Sequence, residues 1–491
     1  MKPTLNEVKA FAAADSTYRK VPVWMELFAD FTTPVEVLRI LKNVSRHCYM
    51  LESIEDHENR GRYTFLGYDP TLEITCVDGR LKMKSGTTFE VETNHPADYI
   101  RKVIAENKSP RIAELPSFTG GLVGYFSYDY IKYCEPSLNL DTVNLDGYKD
   151  VDLMLFDKVI AFDNYREKII LIVNVSIENI DTEYNKACME LKMMAELLKN
   201  GAKAPMEPGR LKSEFRANFS KEAFCGMVEK AKHYIREGDI FQVVLSNRME
   251  ADYEGSLLDT YRVLRTTNPS PYMFYFSSDD IEIAGASPET LVKLDRGVLH
   301  TFPLAGTRPR GGNKEEDALL KAELLADEKE CSEHNMLVDL GRNDLGRISK
   351  FGSVSVKRYM DVLMYSHVMH IGSTVEGLIR EDKDALDAIG AVLPAGTLSG
   401  APKIRACEII SELEGNRRGI YGGTIGYIDF TGNMDTCIAI RICFRKNGKV
   451  YIRSGAGIVA DSVPEKEHQE CLNKAKAVIR ALEIADGGLE Q

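Results

Sequence analysis

The segment 420–460 limits the fold more than any other part of the chain. It reads IYGGTIGYIDF, DTCIAIRICFR and KVYIRSGAGIVA, joined by TGNM and KNGK. Apolar runs rich in Ile, Val and Tyr between such turns predict an antiparallel meander, and Asn447-Gly448 is a two-residue hairpin signal. RYTFLGY (62–68) and KIILIVNVSI (168–177) add strands, and EYNKACMELKMMAELLKN (183–200) adds a helix. Antiparallel strands mixed with helices predict an α+β fold over a doubly wound parallel sheet. At about 150 residues per domain, the chain has room for two to four domains. The Gly-, Pro- and charge-rich stretch NGAKAPMEPGRLKSEF predicts a linker at 200–215, between a unit spanning 1–200 and one spanning 216–491.

A net charge of −12 argues against a broad nucleic-acid or anionic-membrane surface. An anionic small molecule must then be met by locally placed Arg, Lys and backbone N–H groups. Ten cysteines stand singly with no CxxC pair, as expected for reduced thiols. No run has the apolar length of a signal peptide or a membrane span, so the expected location is the cytoplasm.

Two stretches place acids on faces where acids are costly. At about 100° per residue, Glu330 and Glu333 in DEKECSEHNMLVDL share a stripe with Leu337 and Leu340. In DSVPEKEHQECLNKAKAVIRALEIA, Ser462 and Glu465 have capping-box spacing and Pro464 suits a first turn. On that helix Glu467, Glu470 and Lys474 fall in one arc beside Ala477 and Ala481. Paired acids on two helices make an oxygen site for a hard divalent cation; the alternative is two salt-bridged or solvated helix ends.

Small-residue loops add anion-binding capacity. PAGTLSGAPKIRACEIISELEG (394–415) runs from a small-residue loop into a helix, with Thr397 and Ser399 offering hydroxyls. SGAGI (454–458) lets backbone approach a ligand closely. Arg441 stands between Ile440 and Ile442 in an apolar strand, where it needs an anionic partner, structural or bound. His370 alternates with Val368 and Gly372 on a strand; His367 fits the same pattern, and either could be structural.

In order along the chain, ASPET, FPLAGTRPRG, DEKECSEHNMLVDLGRNDLGR, HVMH, LPAGTLSGAPK, YGGTIGY, DTCIAIR, SGAGIVADS and PEKEHQECLNK resemble the chorismate-utilising enzymes. YMLES (49–53) and NPSPYMF (268–274) point within them to the anthranilate synthase component I group, and the likeness covers 20–480. The resemblance implies an α/β/β/α sandwich in which two antiparallel sheets enclose the active site. It implies Mg²⁺ at Glu330, Glu333, Glu467 and Glu470. Glu289 of ASPET would be the general acid for the departing 4-hydroxyl of chorismate. Arg441, Tyr421 and the Gly455-Ala456-Gly457 backbone would hold the enolpyruvyl carboxylate, while Gly306, Thr307, Thr397 and Lys474 line the ring side. His370 would serve the second step, proton removal and pyruvate loss.

The family divides by what attacks the ring. Aminodeoxychorismate synthases carry a nucleophilic lysine at the position that here is Ala305, and the water-adding isochorismate and salicylate synthases carry an activating lysine where Gln242 stands. Alanine cannot attack and a neutral amide cannot act as general base, so the expectation is attack by free ammonia. No cysteine here sits in a G-x-C-x-G setting, which implies a separate glutamine amidotransferase subunit (component II) in a hetero-oligomer. Leu51, Glu52, Ser53, Pro271, Tyr272 and Met273, with Ile425 and Tyr427, resemble the family's tryptophan feedback pocket, with Glu52 meeting the ligand's ammonium group. A Pro-Tyr-Met packing cluster is the alternative there, and a tryptophan-binding regulator without activity is the alternative for the whole chain.

Overall fold

The strands expected over 420–460 form, but they divide between two sheets. The computed structural model describes residues 1–53, 61–138, 140, 142, 144, 146–205, 207–364 and 368–489. Thr424–Asp429 pairs with Met434–Ile438 in one sheet, and Ile442–Lys446 pairs with Lys449–Ile458 in the other. The chain crosses at residues 439–441, so DTCIAIRICFR is two strands instead of one. Arg441 takes φ +54°, a left-handed conformation that no strand continues through. Asn447 and Gly448 take φ values of 52° and 74°, the hairpin geometry their sequence predicts.

A second crossing lies at residues 288–289, between Glu282–Ser287, in the first, 13-stranded sheet with Ile442–Lys446, and Thr290–Asp295 in the second, 12-stranded sheet with Thr424–Asp429. The two crossings run side by side. Ala286 N–H donates to the Arg441 carbonyl at 3.2 Å and Ile438 N–H to the Glu289 carbonyl at 2.9 Å. The Ser287 hydroxyl donates to the Ile438 carbonyl at 2.7 Å. This seam brings Glu289 and Arg441 to the same place.

Among the described residues the sheets hold 13 and 12 strands, with antiparallel neighbours throughout. Their facing surfaces bury an aromatic and aliphatic layer that includes Tyr49, Phe156, Phe274, Ile425, Tyr427 and Phe444. Helices Ile180–Asn200, Leu258–Thr267 and Pro464–Ala485 cover the outside of the first sheet. Pro96–Ala105, Glu328–Gly346 and Ala385–Val392 cover the outside of the second. The order is therefore helices, sheet, sheet, helices, as in the expected α/β/β/α sandwich. Both sheets take strands from either side of 200–215. Cys48–Glu52 pairs with Tyr272–Ser277, and Gly121–Phe126 with Thr424–Asp429.

Both acid-bearing helices form. Asp327 caps Glu328–Gly346 by accepting from the N–H groups of Lys329 and Glu330. Pro464 opens the helix Pro464–Ala485, but the expected Ser462/Glu465 capping box does not form. The helix starts one residue later than that motif needs, leaving Val463 at the cap, and the Ser462 hydroxyl instead accepts from Val459 N–H at 3.1 Å. All ten cysteines are free thiols. No described helix is long and apolar enough to cross a membrane.

Candidate active site

A cavity of about 620 Å³ is lined by residues of the crossing seam, two strand walls and the two acidic helices. One wall is the strand Lys449–Ile458 paired with Gln242–Glu254. Successive strand residues face opposite ways, so Gly455 and Gly457 line the cavity. Ala456 points its side chain away into an apolar core and is 0% exposed, which leaves only its backbone for the expected contact. The glycines matter for close approach. A Cβ on Gly455 would stand 2.9 Å from the Tyr421 hydroxyl, and one on Gly457 would stand 2.7 Å from Gln242 Nε2.

The seam supplies an acid and a cation. Glu289 lines the cavity, and burial pushes its carboxyl up to about 7, with a Thr397 hydroxyl donating at 3.1 Å and pulling the other way. Arg441 also lines the cavity, and burial lowers its pKa. No carboxylate among the described residues pairs with it. A dehydrated guanidinium in that state is a strong receptor for a carboxylate ligand.

The facing wall is Leu304–Pro309 paired with Val368–Leu378, interrupted by a bulge between Ala305 and Thr307. Gly306 occupies the bulge at φ +69°, where a side chain would be strained and would crowd Glu330 at 3.2 Å. The bulge turns the Gly306 carbonyl toward His370, whose Nδ1 lies 3.0 Å from that oxygen and 3.0 Å from the Thr307 hydroxyl. A proton on Nδ1 leaves the lone pair on Nε2, and burial lowers the ring's pKa, favouring the neutral base. Ala305 and Gln242 line the same cavity. Gln242 is 4% exposed and its Oε1 has no hydrogen-bond partner among the described residues.

Glu330, Glu333, Glu467 and Glu470 all line the cavity, together with Lys329 and Lys474. Burial raises the pKa of Glu333, and the charge of Glu330 raises it further. Glu467 is raised by burial and by Glu470. Lys474 pairs with Glu470 at 2.7 Å and donates to the Gly455 carbonyl at 3.1 Å. Arg308 approaches Glu330 at 3.6 Å. Like-charged carboxylates crowded in a half-dehydrated space are a donor set that a hard divalent cation would relieve. No three of them bring oxygens within 4.8 Å of one another, so in this arrangement they would hold a cation largely through its water shell.

Some expectations land elsewhere. Ser399 is buried and its hydroxyl donates to the Ala395 carbonyl at 2.8 Å, so the PAGTLSGAPK loop offers the cavity Thr397 but not Ser399. The helix Lys403–Glu414 after that loop does not line the cavity; Lys403 ties back to Asp344 at 2.8 Å. His367 lies outside the described residues. Sequence reading missed Arg453 and Lys329, which line the cavity. Arg453 in VYIRSG carries the signal that marked Arg441, a cation inside an apolar strand.

The eight residues grouped around Leu51 do not present their side chains to one face. Leu51, Tyr272, Ile425 and Tyr427 meet in the layer between the sheets, and Met273 points to the outer side of its sheet. Pro271 is buried at the start of the Tyr272 strand, and the Ser53 hydroxyl is buried without a hydrogen-bond partner among the described residues. Glu52 is not open to an ammonium group as expected. It accepts from Arg265 at 2.7 and 3.1 Å and from the Tyr261 hydroxyl at 2.5 Å, because strand alternation turns it toward helix Leu258–Thr267.

The chorismate binding enzyme family model matches residues 46–480. Anthranilate synthase component 1 of Acetivibrio thermocellus is 47% identical over 495 residues, covering 98% of this chain and 99% of that protein. Its namesake from Aquifex aeolicus is 44% identical over 494 residues, 99% of each chain. The solved anthranilate synthase component I from Streptococcus pneumoniae TIGR4 is 40% identical with a TM-score of 0.73, covering 87% of this chain and 93% of that one. MenF, the menaquinone-specific isochorismate synthase from Escherichia coli, shares the fold at 18% identity and a TM-score of 0.70, over 97% of this chain and 98% of that one. Cavity, fold and similarity agree that the chain belongs to the chorismate binding enzyme family, among the anthranilate synthase component 1 proteins.

Proposed function

We propose that this chain converts chorismate and ammonia to anthranilate, pyruvate and water with Mg²⁺ as cofactor. The observation that carries the reading is one cavity holding a buried acid pushed up to about 7, an imidazole whose pKa burial lowers and a guanidinium with no carboxylate partner among the described residues, with Ala305 and Gln242 where rival chemistries need a lysine.

Arg441, Tyr421 and the Gly455–Gly457 strand take the enolpyruvyl carboxylate. Ammonia adds at ring carbon 2, the ring double bonds shift, and the 4-hydroxyl leaves. Hydroxide is a poor leaving group, so Glu289 gives its proton and the group departs as water. Near neutral pH a carboxyl titrating at about 7 is still substantially protonated. The added nitrogen loses its extra proton to solvent. His370 then takes the proton from carbon 2, and the released electron pair completes the aromatic ring as the ring C–O bond breaks; the enolpyruvate released takes a proton from solvent at its methylene carbon to become pyruvate. Glu330, Glu333, Glu467 and Glu470 would hold Mg²⁺, directly or through water, and the ion would supply charge neutralisation at the ring carboxylate and polarisation of the 4-hydroxyl.

The ammonia would come from a glutamine amidotransferase subunit in a hetero-oligomer, and tryptophan would inhibit from the region of Leu51 and Tyr272. The Ser53 hydroxyl, buried without a hydrogen-bond partner among the described residues, supports a polar ligand there. The deciding assay gives purified chain chorismate, Mg²⁺ and ammonium salt and identifies the product. Anthranilate with pyruvate is expected. Aminodeoxychorismate would overturn the reading of Ala305, and isochorismate or salicylate that of Gln242.

A further inference from the structure

A buried ion network stands behind the cavity wall and reaches it at Arg453, and the chemistry above does not use it. Arg418 is 2% exposed and Glu414 3%. Arg418 Nε and Nη2 clamp Glu414 at 3.0 and 2.6 Å. Its remaining donors reach outward, Nη1 to the Leu398 carbonyl at 2.6 Å and Nη2 to the Val244 carbonyl at 2.7 Å. The guanidinium lies 4.6 Å from the Tyr128 ring centre and 5.8 Å from that of Tyr421. Arg453 donates to Glu414 Oε2, the oxygen that also accepts from Arg418 Nε, at 2.8 Å and to the Ser246 hydroxyl at 2.8 Å. Glu414 also accepts from the Ser246 N–H at 2.8 Å and hydroxyl at 2.9 Å.

Each outward contact ends one step from a group in the cavity. Leu398 follows Thr397, which donates to Glu289. Val244 lies two residues from Gln242 on the cavity face of one strand, and Tyr421 lines the cavity itself. Only a planar fork with donors in fixed directions spans a carboxylate and two carbonyls at once; an ammonium group offers its donors from one point. Buried ion pairs add little net stability compared with apolar packing, so stability alone does not account for placing two guanidinium groups around one carboxylate here.

We propose that Arg418 is a positioning residue for chorismate amination: through Leu398 it sets Thr397 against Glu289, and through Val244 and Tyr421 it fixes the wall that receives the enolpyruvyl end. This rests on the function proposed above.

The test is Arg418→Lys, which keeps the charge and loses the span. With ammonium salt and Mg²⁺, kcat/KM is expected to fall about 100-fold, the cost of a small misplacement of reacting groups. Withdrawing the Thr397 donor also removes a contact that favours ionised Glu289, so the alkaline limb of the pH profile should move to higher pH. A variant with a lower melting temperature but unchanged kcat/KM and pH limb would reduce Arg418 to a structural role and overturn the proposal. Should Arg418→Lys fail to fold, Ser246→Ala removes one shared hydroxyl and no charge. A fall in kcat/KM of about 3-fold is then expected, and no change overturns the proposal. Wild-type protein that makes no anthranilate would sink the proposed function instead. Chorismate affinity by calorimetry without ammonia then decides the positioning role: a weaker affinity in Arg418→Lys supports it, and an equal one overturns it.

Discussion

Glu52 ends a strand of the 13-stranded sheet and Glu289 lies where the chain crosses from that sheet to the other, and their surroundings differ in kind. Glu52 accepts two N–H bonds from Arg265 and a hydroxyl from Tyr261. Glu289 receives one threonine hydroxyl, and burial holds its carboxyl near 7. A saturated acid holds elements together; a buried acid with one neutral donor keeps its proton and can give it away. Arg441 and Arg265 repeat the contrast on the cationic side. Arg265 is clamped on Glu52, while Arg441 has no carboxylate partner among the described residues.

The largest expected effect removes an acid from the crowded set. Glu330→Ala should abolish anthranilate formation with any nitrogen source, and added Mg²⁺ should no longer raise the melting temperature of the chelator-treated protein. A thermal response equal to wild type would reject Glu330 as a ligand. Glu289→Gln should lower turnover about 10²- to 10⁴-fold while leaving the melting temperature unchanged, which fluorescence assay and calorimetry together decide. Arg441→Lys should raise KM for chorismate about 10-fold or more with a smaller change in kcat, since a bidentate charged contact is lost. An unaltered KM would take Arg441 off the substrate.

The pH profile sharpens the same contrast. At constant free ammonia, kcat/KM should fall as pH rises through about 7, because Glu289 loses the proton it must donate. The acid limb should lie below the ordinary imidazole range, because burial favours neutral His370. The alkaline limb should vanish in Glu289→Gln; its persistence would assign that proton to another group. The smallest catalytic effect belongs to Glu52→Gln. It should cost about 1–3 kcal/mol in stability through weakened charge-assisted bonds and leave kcat within error of wild type. A large loss of turnover there would erase the distinction between the two acids.

Several of these residues were legible one at a time. Arg441 stood out as a charge inside an apolar run, and Glu330 and Glu333 as acids extending an apolar stripe. Strand alternation was enough to choose Gly455 and Gly457 and to turn the Ala456 side chain away. The Ser462 capping box failed by one residue, an offset that spacing alone does not resolve. The crossing at residues 439–441 was not legible, because IAIRI reads as one continuous strand until the Arg441 backbone turns left-handed. Nor was the fate of Glu52, whose partner Arg265 is 213 positions away.

By itself the sequence determined what depends on near neighbours: the helices and their acidic faces, the Asn447-Gly448 hairpin, the antiparallel character of the strands, and motifs specific enough to name a family. Only the tertiary structure decided which strands share a sheet, where the chain passes from one sheet to the other, and which acids arrive already paired. Periodicity places a side chain relative to its own strand or helix. Whether that side chain then meets a cation, an apolar layer or an open cavity is set by contacts between segments hundreds of residues apart, and these arise only when both sheets are assembled.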